Sequence, residues 1–290
     1  MIEPTSNYIQ AKDTTIHYLE WGSGSKTIIL VHGSGLCSSV WDMTAKYLSD
    51  NYRVIALDLR GHGDSEKTPG HYTWPEIVAE FPEFIKALNL KEIYLVGHSR
   101  GGGVASLGGS LIAERLAGLV LIEPTLSLGR IIPKKTPNTL TLADITRKRR
   151  TEFDDLESVF KSYSKAETFK NWDSEILWSY ITGGTYKKPN GIYSLKCTPE
   201  TEAIFYEENT PTYMFDELEN IKCPTLLITS ENKQRFPDNS IALQSIKNSV
   251  ISFEHSVISG VGHFIPQEKP REFNELVSNF FNNICTEEVL

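Results

Sequence analysis

Glu92-Ile93-Tyr94-Leu95-Val96-Gly97-His98-Ser99-Arg100-Gly101, continued by Gly102 to Leu107, is the stretch on which the fold turns. Ile93 to Val96 is a short apolar run of the kind that fills a buried parallel strand. The residues after Ser99 read as a helix, so Gly97-His98-Ser99-Arg100-Gly101 matches Gly-x-Ser-x-Gly in the strand, sharp turn and helix setting that this pattern requires. Gly97 and Gly101 are expected where a Cβ would collide with neighbouring backbone. Ser99 is expected in a strained turn at a helix start, where the local field favours developing negative charge.

Similar apolar runs recur outward from this stretch. TIILVHG (27–33) and YRVIALDLRG (52–61) precede it, and LAGLVLIEP (116–124), CPTLLITSE (223–231) and ISFEHSVI (251–258) follow. Residues 8–21 alternate as a half-buried strand does. Helical patterns fill the intervals, among them VWDMTAKYLSD, YTWPEIVAEFPEFIKALNL, IALQSIKN and PREFNELVSNFFNNI. Strand and helix alternating at this spacing imply a mostly parallel sheet covered on both faces by right-handed crossovers.

One interval breaks the rhythm. Residues 125–215 carry no strong apolar strand, but they hold helical segments and many aromatics, among them Trp172, Trp178, Tyr180, Phe205 and Tyr206. The organisation predicted is a core of residues 1–124 and 216–290 with a helical cap inserted at 125–215. A cap over the carboxyl ends of the strands makes the concave, apolar pocket favoured by small ligands. Most of its aromatics are expected to form the cap's own core.

Composition excludes other classes. Of 290 residues, 40% are hydrophobic and 23% charged, ordinary globular usage without repeats or low-complexity tracts. A net charge of −8 argues against nucleic-acid binding, which rests on Lys and Arg neutralising phosphates. The basic cluster Arg147 to Arg150 is expected on a solvated helix face. Cys37, Cys197, Cys223 and Cys285 are widely spaced and read as reduced structural residues. No metal-ligand cluster or phosphate-binding Gly-x-Gly-x-x-Gly after a strand appears, so no cofactor or metal is expected. Without a signal-like N-terminus or a span of about 18 apolar residues, the expectation is a cytoplasmic protein, away from the membrane, and a monomer or weak homodimer.

Further motifs fit the Ser99 turn. His32-Gly33-Ser34-Gly35 ends one core strand, and Asp58-Leu59-Arg60-Gly61-His62-Gly63-Asp64-Ser65 ends the next. With the turn itself, these residues resemble the α/β-hydrolase superfamily in order, spacing and strand context over nearly the whole chain. The resemblance implies a serine nucleophile at Ser99 and an oxyanion hole from the backbone N–H groups of Ser34 and Arg100. The Arg100 side chain is a separate matter, and a structural ion pair is expected for it. The resemblance also places the catalytic histidine at His263, in Gly262-His263-Phe264 after the last strand. His32, His62 and His98 read as motif residues that shape turns.

The chain departs from the superfamily at the triad acid. Most members carry it after the strand that here reads CPTLLITSE, commonly as Gly-x-x-Asp, but the matching residues are Ser230-Glu231-Asn232-Lys233. A lysine cannot hold an imidazolium in place. Glu231 and Asp238 are nearby candidates, and Glu123, at the end of LAGLVLIEP, is the preferred one on triad geometry. A minority of the superfamily, some lactonases and haloalkane dehalogenases among them, places its acid after this strand.

The function expected is hydrolysis of a small apolar carboxylic ester or lactone through an acyl-enzyme on Ser99. Cofactor-free dioxygenase or carbon–carbon bond lyase or hydrolase chemistry on the same scaffold is the alternative, as is a ligand-binding homologue without catalysis.

Overall fold

The computed structural model describes residues 3–68, 70–126, 140–208, 210–211, 213–231 and 241–287. The main-sheet strands are β1 (Thr5–Ala11), β2 (Thr14–Trp21), β3 (Thr27–Val31), β4 (Arg53–Leu57), β5 (Ile93–His98) and β6 (Leu116–Ile122). Between β6 and the next main-sheet strand lies the insertion, with short strands β7 (Glu152–Phe153), β8 (Thr185–Lys187) and β9 (Tyr193–Leu195). Strands β10 (Pro224–Ser230) and β11 (Ser252–Ile258) complete the sheet in the order β1-β2-β4-β3-β5-β6-β10-β11. Among the described pairings of this sheet, those of β2 with β1 and β4 are antiparallel and the rest parallel.

Helices α1 (Asp42–Leu48), α2 (Trp74–Ala87) and α3 (Arg100–Ser110) occupy the early crossovers. The insertion holds α4 (Leu142–Thr146), α5 (Leu156–Tyr163), α6 (Ser174–Gly184) and α7 (Pro199–Glu207); α8 (Met214–Leu218), α9 (Ile241–Ser249), α10 (Ile265–Glu268) and α11 (Pro270–Glu287) follow. The two cores pack on opposite faces of the sheet because alternate residues of each buried strand point to opposite sides. Ile28 and Leu30 join Trp41 and Phe281 in one core, while Ile29 and Val31 join Trp74 and Phe84 in the other. No described helix is long and apolar enough to cross a membrane.

The insertion is not purely helical. Strands β7, β9 and β8 form a small antiparallel sheet in that order. With only two or three residues each, they are too short to register as apolar runs. The turn joining β8 to β9 closes at Gly191, which adopts φ +89°. Helix α8 packs on α3 and α9, and Met214 is fully buried in the Trp74 core. The insertion's aromatics divide: Tyr163 stacks on Phe169 at 4.8 Å with Trp172 and Tyr180 around them, whereas Phe205 is buried in the Trp74 core, Tyr206 lines the cleft described below and Trp178, Tyr186 and Tyr213 are exposed.

Candidate active site

The sheet register brings three strand ends to one level. His98 of β5 lies opposite Ile122 of β6, which lies opposite Ile228 of β10. The ladder continues one residue further, with Ser99 N–H donating to the Ile122 carbonyl at 2.9 Å and Glu123 N–H to that of Ile228 at 3.0 Å. Ser99 and Glu123 therefore leave the sheet side by side. Both turn sharply there, Ser99 with φ 54° and Glu123 with φ 42°, in the left-handed region that side chains rarely adopt.

The glycines around Ser99 are sterically required. A Cβ on Gly97 would lie 2.4 Å from the Gly101 carbonyl oxygen, and one on Gly101 would lie 2.3 Å from that of Val31. Helix α3 can thus start directly under the β3 end.

His263 sits between β11 and α10 and reaches back over this edge. Its Nε2 lies 2.9 Å from Ser99 Oγ, and its Nδ1 lies 3.6 Å from Glu123 Oε2. Glu123 is buried, and its other oxygen, Oε1, accepts from Ser230 N–H at 2.7 Å and Ser230 Oγ at 3.0 Å. Sequence reasoning missed Ser230; the only signal was its place at the end of β10. Buried His98 holds the His263 backbone, its Nε2 lying 2.9 Å from the His263 carbonyl oxygen.

Glu231 is exposed and accepts from Gly260 N–H at 2.9 Å. Asp238 lies outside the described residues, as do Asn232 and Lys233.

Two buried imidazoles shape the loop that carries Ser34. His62 Nε2 accepts from Gly35 N–H at 3.0 Å and His32 Nε2 from Leu59 N–H at 3.0 Å. Burial pushes both pKa values down, that of His62 to about 3, so each ring accepts at one nitrogen and donates at the other. Asp58 accepts from Ser38 N–H and lies 2.6 Å from His17 Nδ1. Burial alone would raise its pKa, but these hydrogen bonds and the neighbouring imidazoles carry it well below the carboxylate range.

Ser34 and Arg100 line a cavity of about 390 Å³ together with Ser99 and His263. A second cavity of about 360 Å³ lies under the insertion. Ser34, Leu142, Thr168, Tyr206 and Phe264 line both, so the two are lobes of one cleft between sheet and insertion.

Two side-chain expectations are corrected here. Arg100 forms no ion pair among the described residues; its guanidinium lies 3.6 Å from the Trp74 ring centre and 5.0 Å from that of Phe205, between two aromatic faces. The basic cluster is not a helix face either, because α4 ends at Thr146. Arg147 pairs with Glu200 and Glu207, while Lys148, Arg149 and Arg150 line the second lobe, Arg149 pairing with buried Glu202. The cysteines contain no disulfide, and the described His17, Asp58 and Asp64 cluster is already tied to Ser6, Ser38 and Lys196.

Residues 28–276 match the model of the alpha/beta hydrolase family. The chain belongs to that family. A non-heme haloperoxidase from Rhodococcus erythropolis is 28% identical over 276 residues, covering 88% of this chain and 92% of its own. Among solved structures, an E-2-(acetamidomethylene)succinate hydrolase superposes with a TM-score of 0.74 at 20% identity, over 96% of this chain and 99% of that one. The enol-lactonase from Burkholderia xenovorans LB400 superposes with a TM-score of 0.70 at 18% identity, over 95% and 100%. As a member of the alpha/beta hydrolase family, the chain is assigned hydrolase chemistry at this level.

Proposed function

We propose that the chain hydrolyses a carboxylic ester or lactone through an acyl-enzyme on Ser99. The observation that carries this reading is the 2.9 Å contact of His263 Nε2 with Ser99 Oγ, with Glu123 on the opposite side of the same imidazole. In this reading His263 takes the Ser99 proton as Oγ bonds to the acyl carbon. The imidazolium formed is stabilised by the buried Glu123 carboxylate. The oxyanion is held by the Ser34 and Arg100 N–H groups, and the proton then passes to the departing alkoxide. Water, deprotonated by His263, cleaves the ester to Ser99 and regenerates the site.

The position of Arg100 as the first residue of α3 supports the oxyanion role, since an N–H there has no acceptor within the helix. The insertion, roofing the cleft, acts as the cap that selects the acyl or alcohol group. Leu36, Leu142, Phe205 and Phe264 give its walls an apolar character suited to a medium-sized ligand. An enol-lactonase shares this fold, so the scaffold accommodates lactone chemistry.

The test is turnover of short 4-nitrophenyl esters by the wild-type chain, with covalent labelling by a fluorophosphonate. Wild type is expected to turn over and label, and Ser99→Ala to do neither. Failure of the wild type to label or turn over would transfer the reading to dioxygenase, lyase or binding functions.

A further inference from the structure

Arg100 is fully enclosed, yet only part of its guanidinium is used. The residue is 3% exposed, Nη1 donates to the Phe205 carbonyl at 3.0 Å, and Nε and Nη2 are buried with no hydrogen-bond partner among the described residues. Its two flat faces are covered by Trp74 and Phe205, so further interaction has to come at the edge. Nε and Nη2 form the edge that suits a carboxylate, with two parallel donors. The same edge is used elsewhere in this protein: at Arg53 it holds both oxygens of Glu20, and at Arg147 both oxygens of Glu200. At Arg100 no carboxylate among the described residues takes that place. Glu208 lines the same lobe and acts on Arg100 only at a distance.

A buried cation without an ion-pair partner is costly, and such groups are retained where an anion completes them. Burial pushes the Arg100 pKa down to about 9, with Glu208 acting in the opposite sense, so the side chain is still a cation at neutral pH. The wider cleft has the same sign. Its walls carry Arg100, Lys148, Arg149 and Arg150 against Glu202 and Glu208, on a chain whose net charge is −8. A locally cationic cleft on an acidic molecule concentrates anions where they are otherwise repelled.

We propose that the cleft takes an ester or lactone carrying a free carboxylate, and that the Nε and Nη2 edge of Arg100 recognises it beside the nucleophile. The inference rests on the hydrolase reading of Ser99 and narrows its substrate class to carboxylate-bearing acyl compounds. Arg100 then contributes twice, through its N–H to the oxyanion and through its side chain to the substrate anion.

The test separates binding from turnover. Ser99→Ala is titrated with the monomethyl and dimethyl esters of succinate, glutarate and adipate, ligands that differ in one carboxylate. A monoester of one chain length is expected to bind about tenfold to a hundredfold more tightly than its diester, the range of a charged hydrogen-bonded contact. In Ser99→Ala/Arg100→Met that ratio falls to near one, and Arg100→Lys, which keeps the charge but loses the paired donors, retains part of it. Cooperative melting checks that each variant folds, and the parent ratio stands without either of them. Equal or tighter binding of the diester at every length, no binding of any ligand, or a ratio that survives Arg100→Met overturns the proposal. Fluorophosphonate labelling of the wild type is read separately. A high ratio without labelling removes the acyl-enzyme and keeps the carboxylate subsite; labelling with a ratio near one does the reverse.

Discussion

Glu123 leaves β6 with φ 42°, a conformation that costs on the order of 1–3 kcal/mol and persists only where surrounding contacts fix it. Here the contacts are its N–H on Ile228 and its Oε1 on Ser230, so Oε2 is left to face His263. Glu123→Gln keeps the shape but not the charge, and kcat on 4-nitrophenyl esters is expected to fall by about three to four orders of magnitude. A variant with kcat within tenfold of wild type would place the acid elsewhere. Ser230→Ala removes one donor to Oε1 and keeps the N–H, so a fall in kcat of about tenfold with little change in KM is expected. An unchanged kcat would show that the hydroxyl does not position the carboxylate. The two residues differ in legibility. Glu123 was legible as a candidate because triad geometry lets an acid after this strand reach the histidine, whereas a serine ending a strand is commonplace until the β6–β10 register sets it against Glu123.

At the level of elements, the loops after β3 and β4 are held by neutral imidazoles. His62 accepts from Gly35, and His32 accepts from Leu59. An imidazole with a depressed folded pKa binds fewer protons than the unfolded chain does, so stability falls as pH drops below about 6.5. For His62 the loss continues to about pH 3, at up to roughly 1.4 kcal/mol per pH unit. Asp58, its pKa depressed in the fold, adds a loss in the same direction below about pH 4. Calorimetric melts are expected to show Tm declining steadily from pH 7 to pH 5. A flat Tm over that range would mean that these rings protonate in place. Elements of this size were legible because the unbroken apolar run Ile28 to Val31 reads as a buried strand. The strands β7, β8 and β9 were not, since two or three residues carry no period and their pairing is decided by the packing of α5 and α6 around them. The position of Arg100 between two aromatic rings was equally hidden, because Phe205 arrives from a helix 105 residues away.

For the molecule as a whole, the insertion and the core share one interior. Phe153, Tyr163, Trp172 and Tyr180 of the insertion belong to the same apolar cluster as Val40, Trp41 and Phe273 of the core. Sequence alone separates the two, because the helical patterns of 125–215 interrupt the strand rhythm, but it does not disclose this continuity. Insertion and core are therefore expected to unfold in a single transition with equal calorimetric and van't Hoff enthalpies. The join includes the loop that carries Ser34. Tyr180 Oη donates to the Gly35 carbonyl at 2.7 Å, and the Glu202 carboxyl fills the space that a Cβ on Gly35 would need. Tyr180→Phe leaves that buried carbonyl without its donor, at a cost of about 1–3 kcal/mol. Because Gly35 neighbours Ser34, the same change is expected to lower kcat and Tm together. A loss of Tm with kcat intact would show that the cap contact stabilises the loop without setting the oxyanion hole. A second transition in the wild-type melt would instead separate cap from core, and the shared cluster would then be a docking face between two independently folding units.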